Sequence, residues 1–261
     1  MTGKRDVLAG GADVSDVELD TAEGPMRAIM AWPRKRDPIA AVITFPHVGG
    51  LTDTMRTMAR MVAHGGYACL VPDLYHRLGT IVLDPQSTNE HALAIRKAAA
   101  ASVTQSSAMI DLDAALCWLR RAARLPPPYG AIGYGRGGSF ALAAAALRHD
   151  EIGAAASILG FGFTGNGSEA ARRMLPGITG EIYCAFAEND EIIPSEVPDE
   201  LSAMLAELPL RSRLVVHQGA SHPYIFPDRK VHDAAAAAED WASIFAMFER
   251  RLMRPKQQTG S

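Results

Sequence analysis

Along the chain the spacing of apolar positions changes repeatedly, and each change marks an element. From Val14 to Trp32 apolar and polar residues alternate around Glu23, Gly24 and Pro25, which predicts two short antiparallel strands forming an edge hairpin. Ile39 to Phe45 is a continuous apolar, β-branched run that predicts a strand buried on both faces. A glycine-containing loop, Pro46 to Leu51, leads into Thr52 to His64, where apolar residues recur at helical spacing. The same unit then repeats. Tyr67 to Val71 predicts a strand ended by Pro72, and Ile110 to Ala123 a helix whose Leu112, Ala115, Leu116 and Leu119 share one face. Ala131 to Tyr134 predicts a short strand that runs into a glycine cluster, with an alanine-rich helix over Ser139 to Leu147 behind it. Strands at Ala154 to Leu159, Ile182 to Ala187 and Arg213 to His217, with helices at Ser195 to Leu208 and Val231 to Leu252, complete the order.

Alternating strands and helices predict right-handed crossovers and a mainly parallel twisted sheet with helices on both faces. The expectation is one α/β domain over residues 1–254 with a frayed tail at 255–261. Ligand crevices in such sheets open beyond the carboxyl ends of the strands, so function is expected in the loops that follow them. Pro85 to Ala101 is less regular and is expected to form part of a cap over that crevice.

Composition removes several classes of function. A net charge of −3, with no dominant cluster of lysines and arginines, provides no field for a phosphate backbone, so no nucleic-acid partner is expected. Residues 1–11 hold Lys4 and Arg5 without an apolar segment behind them, and no apolar stretch is long enough to cross a bilayer. A cytoplasmic protein with no membrane partner is the expectation. Cys69, Cys117 and Cys184 form no C-x-x-C pair and read as structural thiols. His64, His76, His149, His217 and His232 show no ligand spacing, so neither a metal nor a cofactor is expected. The expected partner is a small-molecule substrate, and the alanine-rich stretches leave the oligomeric state open.

Chemistry concentrates at three places. Gly133, Tyr134, Gly135, Arg136 and Gly137 have the glycine spacing of a G-x-S-x-G nucleophile elbow between a strand and a helix. Asp190 follows the next-to-last strand, and His222 follows the last one in Gly219, Ala220, Ser221, His222. Elbow, acid and histidine in this chain order are what a hydrolase of this type requires. A lone loop aspartate or histidine is ordinarily a solvated residue; the joint order favours a site.

At this point the chain resembles the dienelactone hydrolase (carboxymethylenebutenolidase) family of the α/β-hydrolase fold over nearly its whole length. The resemblance is carried by Gly66, Tyr67 leading to Pro72, Asp73, Leu74, Tyr75, by Asp84, Pro85, Gln86, by Asp111 to Ala115, and by Gly219 to His222. It implies an oxyanion hole made by the backbone N–H groups of Val48 and Arg136, with Asp190 and His222 as catalytic partners. It also implies a substrate-binding surface that includes His91, Phe226 and Tyr134.

The chain departs from the family pattern in three ways. The nucleophile, Cys or Ser in the family, is here Gly135, which excludes a covalent acyl-enzyme. Ser139, one helical turn on, points elsewhere and is expected to pack or bond back to its helix. The two arginines that clamp a carboxylate in the family align approximately with His91 and Phe226, with Arg77, Arg96 and Arg229 nearby in sequence. His47 stands where the family has a glutamate, and reads either as loop filling or as a donor or second base. The expected function is therefore conversion of a small ester, lactone or enol-type substrate with the Asp190 and His222 dyad as general base, by hydrolysis, isomerisation or lyase chemistry. The alternatives are a non-catalytic small-molecule binder on the same fold and an engineered nucleophile-to-glycine variant of an ordinary hydrolase.

Overall fold

In the computed structural model, which describes residues 11–162 and 168–253, the three most apolar runs become the middle of one sheet. These are β3 (Ala41–Phe45), β4 (Ala68–Pro72) and β5 (Tyr129–Tyr134), every residue of which is buried, as strands covered on both faces must be. The alternating N-terminal segment forms the hairpin of β1 (Ala12–Thr21) and β2 (Gly24–Pro33), paired in antiparallel register from Ala12 against Pro33 to Thr21 against Gly24. With β6 (Ile152–Ile158), β7 (Glu181–Asn189) and β8 (Ser212–Ser221) the sheet has eight strands in the order β1-β2-β4-β3-β5-β6-β7-β8. β2 joins β4 antiparallel, and all pairings from β4 to β8 are parallel.

Helices cover both faces. α1 (Asp53–His64) packs on β2 and β4, with Thr52 as N-cap and Met55, Met58, Ala59 and Val62 as its buried stripe. α7 (Ala234–Leu252) lies over β5, β6 and β7, and its Phe245 stacks on Tyr67 just beyond α1. α3 (Gln105–Arg121) and α4 (Arg136–Leu147) pack against each other. α4 buries Phe140 to Ala146 without interruption, which explains its alanine content: small side chains let the helix sit close to β5 and β6. α5 (Ser168–Met174) and α6 (Val197–Ala206) complete the set.

Three expectations are corrected. α3 begins at Gln105 rather than Ile110, because Thr104 caps it in a reciprocal capping box with Ser107. α4 begins at Arg136 rather than Ser139, directly after the elbow glycine and with no side-chain cap. The segment expected to be irregular contains a regular helix, α2 (Glu90–Ser102), capped by the Asn89 side chain. Its pattern is not amphipathic because only Ala99 is fully buried, so its exposed faces show no helical period in the sequence. The tail after residue 254 lies outside the described residues, and among those described no helix is long and apolar enough to cross a membrane.

Candidate active site

At the carboxyl end of β5 the chain turns sharply. Gly135 takes φ 58° and ψ −124° between the strand and α4, while its N–H donates to the Ile158 carbonyl of β6 at 2.9 Å. The glycines around it serve a different purpose from Gly135 itself. A Cβ on Gly133 would run into the Gly137 carbonyl, and one on Gly137 would stand 2.5 Å from the Phe45 carbonyl oxygen, so both exist for close backbone approach. Among the described residues beyond its chain neighbours, the nearest atom to a Cβ on Gly135 would be the Phe161 ring edge at 3.6 Å, an ordinary contact. The nucleophile position thus has room for a side chain that the sequence does not supply.

The acid and the histidine meet because their strands are neighbours in register. Asn189 of β7 pairs with Ser221 of β8, so Asp190 and His222 are the next residues on adjacent parallel strands. His222 Nδ1 donates to Asp190 Oδ2 at 2.8 Å, leaving the lone pair on Nε2. Asp190 Oδ1 is fixed separately, accepting the N–H of Ile192 at 2.8 Å and of Ile193 at 2.9 Å. Burial works against the charge of Asp190, but the hydrogen bonds from His222 and the two backbone N–H groups outweigh it and hold the carboxyl below its usual range. The dyad is thereby an ionised carboxylate orienting an imidazole.

Two backbone donors lie in the same region. Arg136 opens α4, where the first N–H groups have no intrahelical carbonyl to pair with. The carbonyl of His47 accepts the Gly50 N–H at 3.1 Å, which fixes the peptide plane whose N–H belongs to Val48. The Val48 carbonyl in turn accepts the Tyr75 hydroxyl at 3.0 Å.

Gly135, Arg136, Val48, His222, His47, Tyr134 and Phe226 all line one crevice of about 370 Å³ at the carboxyl edge of the sheet. Phe226 forms a wall, with its ring 5.1 Å from that of His47 and 5.3 Å from that of Tyr134. His91 does not join them. It is exposed in the first turn of α2, and the cations that line the crevice are Arg96, Arg136, Arg229 and Lys230. The helix turn decides this: Arg96 lies on the face of α2 toward the crevice, and its Nη1 donates to the Asp84 carbonyl at 3.1 Å. Arg229 is nine-tenths buried, with its guanidinium 5.8 Å from the centre of the Phe226 ring. Arg77, by contrast, is taken by Asp111, at 2.8 and 2.9 Å, away from the crevice.

The ring of His47 is held within its own loop. Its Nδ1 accepts the Gly49 N–H at 2.8 Å and its Nε2 lies 3.3 Å from the Thr52 hydroxyl, so both ring nitrogens are committed inside the loop. Burial, assisted by the nearby Arg229 charge, pushes its pKa down to about 4. Ser139 is likewise committed, its hydroxyl donating to the Arg136 carbonyl at 2.7 Å. Cys69 and Cys184 are buried in the sheet, with their thiols pushed up to about 12 by desolvation.

Sequence reasoning did not find a buried quartet behind His222. Asp240 of α7 accepts the Tyr183 hydroxyl at 2.7 Å, His217 Nε2 at 2.6 Å and the Tyr224 hydroxyl at 2.6 Å. Tyr224 stands two residues after His222, so the quartet ties the histidine loop to the long C-terminal helix. A charged residue on the buried face of α7 was the available signal.

Comparison with known proteins agrees with this fold. A model of the dienelactone hydrolase family matches residues 26–252. The chain is 26% identical over 217 residues to a carboxymethylenebutenolidase of Rhodococcus opacus, covering 81% of each protein. It is 24% identical over 230 residues to a putative carboxymethylenebutenolidase of Escherichia coli K12, covering 86% of this chain and 82% of that one. Among solved structures, a putative dienelactone hydrolase from Klebsiella pneumoniae superposes with a TM-score of 0.80 at 21% identity, over 92% of this chain and all of the other. A dienelactone hydrolase-like promiscuous phosphotriesterase from metagenomic libraries superposes with a TM-score of 0.74 at 18% identity, over 93% of this chain and 99% of the other. With the α/β sheet, the elbow turn and the family match in agreement, the chain belongs to the dienelactone hydrolase family, a family of hydrolases.

Proposed function

We propose that the chain hydrolyses small esters or lactones without a covalent intermediate, using His222 to activate water in the room beside Gly135. The observation that carries this reading is the 2.8 Å contact between His222 Nδ1 and Asp190 Oδ2 in the crevice that Gly135 lines. A dyad with a free Nε2 lone pair is needed for proton transfer and is superfluous for binding alone. In the reading, Nε2 takes a proton from water as its oxygen attacks the acyl carbon. The N–H groups of Val48 and Arg136 hold the oxyanion, and the proton passes to the leaving alkoxide. The same base and donors also suit proton abstraction from an enol-type substrate.

The substrate class follows from charge. Four cationic side chains and no carboxylate line the crevice among the described residues. Arg229 is buried with its nearest carboxylate oxygen, on Asp228, 3.7 Å away, and the other oxygen of Asp228 already accepts the Thr54 hydroxyl. A buried guanidinium whose ion pair with Asp228 is long, at 3.7 Å, favours a ligand that brings a closer anion. Arg229, with Arg96, would then do for an acidic substrate what the family's two arginines do, from different positions.

A panel of anionic and neutral esters, lactones and enol-lactones tests this with the chain as it is and with His222→Ala, Gly135→Ser and Gly135→Cys. Turnover of an anionic member by the unaltered chain, lost about 100-fold or more in His222→Ala, is expected. Turnover restricted to the Ser and Cys variants would identify a hydrolase disabled at one residue. Tight binding with no turnover in any variant, indifferent to His222→Ala, would identify a binding protein.

A further inference from the structure

The crevice differs in character from one end of the sheet edge to the other. Strands follow one another as β4, β3, β5, β6, β7 and β8, so the loops that leave them share that order along the crevice. Arg96 comes from the segment after β4 and donates to the Asp84 carbonyl on that side. Arg229 starts after β8 but folds back across. Its guanidinium lies 5.8 Å from the centre of the Phe226 ring, which packs on His47 after β3, and its neighbour Asp228 accepts the Thr54 hydroxyl of α1 at 2.7 Å. Of the other two cations, Arg136 donates from Nη1 to the Ala100 carbonyl at 2.6 Å and Lys230 is exposed. The opposite end is apolar. Leu159 and Phe161 follow β6, Ile192 follows β7, and all three line the crevice, Ile192 being 66% exposed although large and apolar. The Ile192 N–H donates to Asp190, so this apolar end adjoins the dyad, and Gly135, after β5, lies between the two ends.

A general base that hands its proton to the leaving oxygen must have that oxygen within hydrogen-bond reach of Nε2. The leaving group therefore lies at the dyad, where Asp190 is held ionised and Ile192 and Pro223 are the adjoining walls. A carboxylate there would face the like charge of Asp190 and forgo the guanidinium groups at the other end. We infer that the substrate is a half-ester of a dicarboxylic acid, with its free carboxylate on the acyl part, toward Arg229 and Arg96, and an apolar leaving alcohol against Ile192, Leu159 and Phe161. Water oxygen bonds to the acyl carbon and the acyl–oxygen bond breaks. One water proton leaves on the alcohol through His222, and the other is released from the new carboxylic acid. The inference rests on the acidic-substrate reading of the crevice and adds the side of the scissile bond on which the charge lies.

Two isomeric anions of the same size test the arrangement. Monobenzyl succinate carries its carboxylate on the acyl part and an apolar alcohol; the hydrocinnamate ester of glycolic acid reverses the two. For each, kcat/KM of the unaltered chain is divided by the rate constant for hydrolysis by hydroxide, which removes the difference in leaving-group reactivity. Expected is a preference for monobenzyl succinate of at least about tenfold, reduced in Arg229→Met through a raised KM. Ile192→Lys, at an exposed position that leaves the core intact, should shift the preference toward the glycolate isomer by placing a cation at the leaving-group end. His222-dependent turnover with equal normalised values, or with the glycolate isomer ahead, overturns the inference and leaves the hydrolysis reading standing. Hydrolysis of neutral esters alone overturns it together with the acidic-substrate reading, and turnover of no ester removes the hydrolysis reading as well.

Discussion

Replacing Asp190 by asparagine separates the role of the dyad from that of the fold, because the two carboxylate oxygens have different duties. Oδ1 accepts the Ile192 and Ile193 N–H groups at 2.8 and 2.9 Å, and Oδ2 accepts His222 Nδ1 at 2.8 Å. In Asp190→Asn the amide oxygen must take the Oδ1 place, since an NH₂ group there would face two donors. The NH₂ group therefore faces His222 Nδ1, which must become an acceptor, and the ring proton moves to Nε2. The base is then blocked at the atom that faces the crevice. The stability cost is about 1 kcal/mol, the difference between a charge-assisted and a neutral hydrogen bond, because both backbone bonds survive. The kinetic cost is the whole general-base contribution, about 10²–10⁴-fold in kcat/KM, or about 3–5 kcal/mol. The assays are kcat/KM on the best ester of the panel, denaturant unfolding, and nitrogen-15 NMR of His222 at pH 8 to identify the protonated ring nitrogen. Activity above about one third of the unaltered chain, or a fully active variant with the proton on Nε2, would refute the assignment of His222 as base.

Two further predictions concern groups around the dyad. His47 is held neutral in the fold, with its pKa pushed down from 6.5 to about 4, so the unfolded chain binds more protons between those values and stability falls as pH drops through that window. The loss is complete below about pH 4 and amounts to about 3 kcal/mol; denaturant titrations at pH 7 and pH 4 should show this much less acid sensitivity in His47→Gln, and equal sensitivity would contradict the burial argument. Tyr224→Phe removes one of the three donors to buried Asp240 and unties the histidine loop from α7. Unfolding should become easier by about 1.5–3 kcal/mol and kcat should fall more than KM rises, whereas unchanged stability would mean that the Tyr224 contact contributes nothing.

The sheet was legible because its central strands are buried on both faces and so appear as uninterrupted β-branched and apolar runs. The order of elbow, acid and histidine was legible for a related reason: chain order on a parallel sheet fixes which loops share one edge. What escaped depends on rotation about a helix or on closure of a loop. α2 turns little apolar surface inward, so neither its regularity nor the choice of Arg96 over His91 at the crevice leaves a periodic trace. His47 looked available as a base because sequence does not reveal that Gly49 folds back to donate to its Nδ1.

The glycines of the elbow show most directly what tertiary structure adds. Gly133, Gly135 and Gly137 are equivalent as letters, yet backbone carbonyls crowd the first and third, while a Cβ on the middle one would make an ordinary contact with the Phe161 ring at 3.6 Å. At φ 58° and ψ −124° a residue with a Cβ costs about 1–3 kcal/mol of backbone strain, and glycine at Gly135 avoids that cost while holding the same turn. The strain attached to a nucleophile and the reactivity it supplies are therefore lost together in this chain. Under the proposed reading the attacking group is instead a water held in the crevice that His222, Val48 and Arg136 line.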